Sequence, residues 1–499
     1  VETREALALV LKLHKRLGDR QKEIDQFEAY FRGEHPLAYA SATWASEHAA
    51  RYKGFSDNWC GPVGKAAADR TELTGIRLGN DVRALLDDDE RALLRDWNTN
   101  NGPLQASQGF QTAGIARRSA VIVWGDDNSE PVLTWEHPSQ VIVDYEPGAR
   151  RPRYALKAWA DEDWQFATLY TADEVWKFRR RGPRTPVTAN TSSSSGSGLW
   201  LPSTFHVATP GGWEARPVAD TGDDTWPISN PLGELPVREF EHKPQLRGEP
   251  LSRIAGTIAM QDAINLMWAY LFVAADHASM PARVVMGSEP PKMPILNEQG
   301  QKIGEKPIDI NELSKGRLLW LTGQKASISS WDAAKLDVFT SVVKVAVQHV
   351  MSQTSTPAYY INGELGNVNG ETLKATETPL VTDVRQDHLY YTPPARGIFR
   401  LMALVRGEYR VAEACRAATM QWRNPEIQND AQLADAALKD KQVGFPLEWI
   451  ATERYGLSQP DVDRVMAMVA RDPAGAGALN GVLAGLNGGD GDSTGTDGT

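Results

Sequence analysis

LSRIAGTIAMQDAINLMWAYLFVAADHAS, residues 251–279, reads as one long helix. Leu251, Ile254, Ala255, Ile258 and Ala259 recur at helical spacing along one stripe. At the standard rise the helix would reach about 43 Å, and Pro281 marks its end. Its most apolar part, Ala263–Ala275, is bounded by Asp262 and Asp276. That run is too short for a bilayer, so a buried or subunit-facing helix is expected, with no membrane contact. A second helix is predicted from Trp331 or Asp332. Leu336, Phe339, Val343, Ala346 and Val350 fall on it at offsets 0, 3, 7, 10 and 14, a heptad-like seam suited to a neighbouring helix. Ala346 is its weakest member, since a small side chain buries little but permits close approach. ARVVMG (282–287) and GRLLWL (316–321) read as strands around a Pro/Gly/Lys-rich excursion. The sequence therefore predicts a small module inserted between two long helices that lie side by side.

Upstream, residues 1–33 predict a helix carrying Leu7, Val10, Leu11, Leu17, Phe27, Tyr30 and Phe31 and closed by Gly33. A second helix is expected over 58–70, followed by a strand at 74–78. The run DDDERALLRDWNTNNG (87–102) reads as a helix with an acidic first turn. Asp87, Asp88 and Asp89 are candidates for a divalent cation, but a helix N-terminus favours negative charge without one. A helix over 104–117 precedes strands at 119–125, 132–137, 140–146, 153–160, 164–171 and 174–181, rich in Val, Ile, Trp and Tyr. This defines an α+β domain with an antiparallel sheet. Arg179, Arg180, Arg181 and Arg184 open the Pro- then Ser/Gly-rich stretch 182–198. A nucleic-acid patch and a solvated hairpin end both fit; the lack of interleaved aromatics in that stretch favours the hairpin end. A turn at 230–236 leads to the strand VREFEH (237–242).

Downstream, 354–370 is Gly/Asn-rich and reads as an exposed loop. A third long helix is predicted from Glu371 past His388, kinked at Pro379. Helices are expected at 396–420, 428–441, 446–455 and 458–471, the last with a capping-box-like Ser458 and Asp461. Residues 472–499 have the Gly/Asp/Ser/Thr composition of a disordered tail.

The 499 residues suffice for about three domains, and two cysteines, Cys60 and Cys415, exclude a Cys-rich zinc site. No charged leader with an apolar stretch opens the chain, so no secretory signal is expected; Val1 in place of Met leaves room for preceding residues. The phosphate loop, the G-x-S-x-G elbow and the H-E-x-x-H pair are all missing from the sequence. The nine histidines, His349 among them, do not cluster at ligand spacing. GELGNVNGET follows no strand of a βαβ unit, and the helices around 447–469 carry Asp461 and Asp463 against one Arg464, too acidic for a major-groove reader. Neither an enzyme nor a cofactor is expected. A net charge of −11 argues against tight gripping of DNA phosphates.

Several local sequences carry a family likeness: FEAYFRGEHPLAYA (27–40), FSDNWCGPVGKAAADRTELTGIRL (55–78), NPLGELPVREFEH (230–242), the run from MSQTSTPAYYI through NGETLKATETPL (351–380), and WRNPEIQNDAQLADAALKDKQVGFP (422–446). In this order the chain resembles the portal proteins of long-tailed phages. It departs from the pattern at Asn369-Gly370, where the family often has Ser-Gly, and at Pro379. The resemblance implies a wing over 1–245, stem helices at 246–281 and 331–353, and a small α/β clip at 282–330. It implies a tunnel loop at 354–370, a kinked wing helix and its successor at 371–420, a mostly helical crown at 421–471 and a disordered tail at 472–499. It also implies a homo-oligomeric ring of twelve copies at one capsid vertex of the virion, assembled in the host cytoplasm. The implied partners are major capsid protein, scaffold protein, the large terminase subunit, the head–tail adaptor and double-stranded DNA passing non-specifically.

Elementary geometry agrees with such a ring. Twelve inner helices about 10 Å apart place their axes on a circle of radius about 19 Å. Subtracting a half-width of about 5 Å leaves a bore of about 28 Å, room for a B-form duplex. The loop 354–370 has no Lys or Arg and one carboxylate, Glu364. Tyr359, Tyr360, Asn362, Asn367 and Asn369 suit a lining that touches DNA without holding it, though a merely polar surface loop fits the same residues. Two other readings remain: a phage ring elsewhere, such as an adaptor or baseplate part, and a cytosolic hydrolytic enzyme using Asp87, Asp88 and Asp89.

Overall fold

The structure is a computed structural model. It describes residues 2–34, 46, 55–79, 88–149, 151–161, 163–182, 212–222, 225–279, 283–286, 292–297, 300–307, 318–321, 327–330, 335–357, 359, 370–426, 430–457 and 459–471. The chain opens with helices α1 (Thr3–Arg32) and α2 (Cys60–Ala66), strand β1 (Leu73–Arg77), α3 (Asp88–Thr99) and α4 (Gly102–Ala116). Strands β2 (Arg118–Gly125), β3 (Pro131–Glu136), β4 (Val141–Tyr145), β5 (Pro152–Ala160), β6 (Trp164–Tyr170) and β7 (Glu174–Arg181) follow. Next come β8 (Glu214–Ala215), α5 (Val218–Thr221), β9 (Ile228–Ser229), β10 (Val237–Glu241) and α6 (Ile258–Ser279). The inserted module holds β11 (Arg283–Met286), β12 (Lys292–Leu296), β13 (Lys302–Pro307), β14 (Leu318–Leu321) and β15 (Ser327–Ser330). The chain continues through α7 (Asp337–Thr354), α8 (Gly370–Val405), α9 (Tyr409–Ala414), β16 (Thr419–Trp422), α10 (Asp430–Val443), α11 (Leu447–Trp449) and α12 (Gln459–Arg471). This is the α+β class expected from the sequence.

Two compact units result, one from Val1–Glu28, Gly64–Arg253 and Leu365–Thr499, the other from Ala29–Val63 and Ile254–Glu364. In the first, a six-stranded sheet ordered β4-β5-β6-β7-β8, with β9 also on β7, stacks on a three-stranded sheet ordered β10-β2-β3. Alternation sorts the side chains. Leu156, Ala158, Leu169, Trp176 and Phe178 face α1, which answers with Ala6, Val10, Leu13 and Leu17. Val141, Val143 and Ala155 face Ala120, Ile122 and Val237 of the smaller sheet. The smaller sheet's other face, with Val121, Val123 and Phe240, closes on α4 and α8 through Phe110, Tyr391 and Phe399. Phe110 and Tyr391 stack with centroids 5.0 Å apart.

The second unit is built on α6 and α7, which pack against each other. Polar side chains on α6 hold residues 55–59: Asn265 Oδ1 accepts from the Asp57 amide at 3.1 Å, and Gln261 Oε1 from the Trp59 amide at 2.7 Å. The Tyr30 hydroxyl donates to Asp262 at 2.7 Å. The window Ile258–Ala275 is long and apolar enough to cross a membrane by length and composition, more than Ala263–Ala275 suggested. Its buried Gln261, Asp262 and Asn265 instead seat it among protein groups.

Several expectations need correction. The helix expected from 251 begins at Ile258, so α6 is about 33 Å long. Residues 251–257 are non-helical, and Leu251, Ala255 and Ala259 are exposed, so the expected stripe is not a packed face. Arg253 is drawn instead into a buried ionic cluster, its amide bonded to Gly114 O at 2.8 Å. The second helix starts at Asp337, with Leu336 as its cap, rather than at Trp331 or Asp332, which lie outside the described residues. The break expected between 388 and 396 is absent: α8 runs unbroken through Pro393 and Pro394. Burial of Tyr391, Ala395, Ile398, Phe399 and Met402 on both sides of the prolines holds it helical despite the lost amide donors. The helix expected to reach 420 ends at Ala414, because Thr419–Trp422 pairs antiparallel with β1.

Candidate functional site

Of the heptad-like seam on α7, Val343 and Val350 are buried and Leu336, Phe339 and Ala346 half-buried, with Val347 joining them in the interior. The rest of the helix is less ordinary. Val338, Val342 and Val345, at offsets 0, 4 and 7, are 59%, 47% and 51% exposed. They form a second apolar stripe beside the first, facing away from the single chain's interior. The β12–β13 hairpin shows the same feature, with Met293, Ile295, Leu296 and Ile303 exposed. The spacing 338, 342, 345 was readable in the sequence, but one good seam on a helix masked the other.

Among the residues expected to line a tunnel, Tyr359 is half-buried. Tyr360, Asn362, Glu364, Asn367 and Asn369 lie outside the described residues. Pro379 lies inside α8, where its missing amide leaves the Ala375 carbonyl without its helical donor. Charged anchors flank it. Glu377, buried, meets Arg70 at 2.9 Å, and Arg70 also donates to Pro425 O at 3.2 Å. On the C-terminal side, Asp383 meets Lys243 at 2.7 Å and Arg253 at 3.2 Å. Arg253 also donates to Asp387, and the buried His242 ring takes its place between Arg253 and the Leu251 carbonyl. Burial opposes the Arg253 charge, but Asp387 and Asp383 outweigh it and hold the guanidinium above its ordinary pKa. Burial, then the Arg253 charge, pushes His242 well below the usual histidine value. Sequence reading missed this cluster, whose members come from distant segments with no shared motif.

Asp88 pairs with Arg91 and Asp89 with Arg410, while Asp87 lies outside the described residues. No group of His, Cys, Asp and Glu among the described residues could hold a metal ion. Cys60 and Cys415 are buried, and burial pushes each thiol up to about 12, far from a reactive thiolate.

The second unit thus leaves apolar side chains of α7 and of the β12–β13 hairpin uncovered in the single chain. A family profile described as phage portal protein, SPP1 Gp6-like, matches residues 21–456. The chain belongs to that portal-protein family, which is structural and non-enzymatic and implies a place in the virion capsid. No curated protein matches the chain.

Proposed function

We propose that the chain is one subunit of a ring at a capsid vertex through which double-stranded DNA is packaged and later ejected. In this reading α6 and α7 belong to the stem, 282–330 is the clip, 354–370 the tunnel loop, 1–245 with 371–420 the wing and 421–471 the crown. Large terminase subunit and head–tail adaptor dock in turn, with scaffold and major capsid protein around the ring, and twelve copies enclose the bore calculated above. The observation that carries the reading is the exposed stripe Val338, Val342 and Val345. Covering each valine is worth about 1–2 kcal/mol, and a repeat around a closed ring supplies that cover to every copy.

The role is mechanical. Residues 354–370 move on a hinge near Pro379 while Glu377 and Asp383 keep the flanking helix tied to its neighbours. The test is Val342→Asp with Val345→Asp. Negative-stain images should show rings for the parent chain and single subunits for the variant, with helix content unchanged by circular dichroism. A parent chain that stays monomeric at high concentration would sink the proposal.

A further inference from the structure

The two stacked sheets of the first unit leave a cleft where they part. One wall is β2 and β3, with Ile122, Trp124 and Val132; the other is β5 to β7, with Trp159, Tyr170 and Val175. Its volume is about 330 Å³. The same alternation that sends Leu156 and Ala158 to α1 sends Lys157 and Trp159 into this cleft. Trp159 stacks on Phe166 at 5.3 Å, the Arg216 guanidinium covers Phe166 at 5.1 Å, and Lys157 Nζ lies 5.5 Å from the Trp159 ring. Among the described residues Lys157, Lys177 and Arg216 line the cleft and no carboxylate does, in a chain of net charge −11.

We propose that this cleft docks an acidic peptide segment of another protein, which inserts one bulky apolar side chain between Trp124 and Trp159. Charge complementarity argues for an acidic flank: Lys157 is already answered by Glu136, and Lys177 and Arg216 at the rim suit a carboxylate beside the inserted residue. The apolar walls and a volume at the lower end of ligand-pocket size argue for a single large side chain. A nucleic-acid strand fits less well. Arg179 at the edge is paired with Glu214 and Asp220, and Lys157 with Glu136, so fixed carboxylates interrupt any track for phosphates. The site goes beyond the ring itself, since it lies on the wing sheets and uses none of the exposed valines of α7.

The test selects random twelve-residue peptides displayed on a carrier against the immobilised full chain. Recovered peptides are synthesised and titrated by fluorescence anisotropy against the parent, Lys177→Glu and Trp159→Ala. The expected result is an aromatic or leucine residue flanked by Asp or Glu, with at least tenfold weaker binding to Lys177→Glu and unchanged binding to Val342→Asp. Lys177→Glu is a half-exposed charge reversal and should keep the parent's melting temperature, so it decides the matter even if Trp159→Ala unfolds. Enrichment of basic peptides, recovery of none whose binding responds to Lys177→Glu, or displacement of the selected peptides by oligothymidylate would each overturn the proposal.

Discussion

At Gly109, in the middle of α4, a glycine serves packing rather than a turn. A Cβ built there would lie 1.9 Å from Nε1 of Trp135. That ring has little room to move: its amine donates to Ser119 Oγ at 3.0 Å, and it meets Phe110 edge-on at 5.5 Å. Gly109→Ala gains up to about 1 kcal/mol of helix propensity. It forces the indole out of place at about 1–3 kcal/mol, and the clash wins. Urea denaturation should show a lower midpoint with little change in slope. Arg253 is the other single residue on which much depends. Its side chain is 5% exposed and that of Asp387 1%. Arg253→Ala leaves the buried Asp387 without its cation and Asp383 with Lys243 alone, and a loss of about 3–5 kcal/mol is expected in the same experiment. The residue scale was the least legible in the sequence. Nothing about Arg253 distinguishes it from fifty-two other cations until His242, Asp383 and Asp387 are brought to it by strand β10 and helix α8.

Elements were far more legible, for a physical reason. Strands β2 to β7 were readable because they are short runs rich in Val, Ile, Trp and Tyr with turn residues at their ends, even though β2 and β4 bury both faces and show no alternation. Helix α1 was readable because Val10, Leu17, Phe27 and Tyr30 recur on the buried side. The failures occur where tertiary contacts override local preference. Pro393 and Pro394 sit inside α8 because apolar residues before and after them share one core, and β16 is a strand because β1 is there to pair with it. Of the heptad-like residues Val343 and Val350 are buried, whereas Val338, Val342 and Val345 needed the folded chain to show that they stay uncovered. The loop residues from Tyr360 to Asn369 are still known from the sequence alone. Pro379 can be tested at this scale. Pro379→Ala restores an amide donor to the Ala375 carbonyl and stiffens the start of α8. Rings should still form, since the stem stripe is untouched, while an in vitro packaging assay should show altered length or retention of packaged DNA. Loss of rings in this variant would show that Pro379 acts on assembly rather than on a hinge.

For the whole molecule, the division into two units was not readable in the sequence. The ties of Tyr30, Asp57 and Trp59 to α6 depend on Gln261, Asp262 and Asn265, which looked like interruptions of an apolar helix. The first unit carries three histidines that burial keeps neutral. Burial, helped by Arg180, lowers His14 to about 4; burial with Arg385 lowers His388 to about 4; and His242 falls well below its usual value. In the unfolded chain each regains a pKa near 6.5. Below that pH the unfolded state binds protons that the folded state refuses, so stability present at pH 7 declines as pH falls through 6.5 and continues to decline towards about 4. For His14 and His388 the effect is at most about 3 kcal/mol each. Urea midpoints measured at pH 7, 6 and 5 should fall in that order. His388→Phe keeps the ring stacked on Trp422, now 4.7 Å from it, and removes one titrating group, so its midpoint should depend less on pH than the parent's. Equal midpoints at pH 7 and 5 in the parent chain would mean that these rings take up protons without unfolding, and that the cluster around Arg253 is open to water.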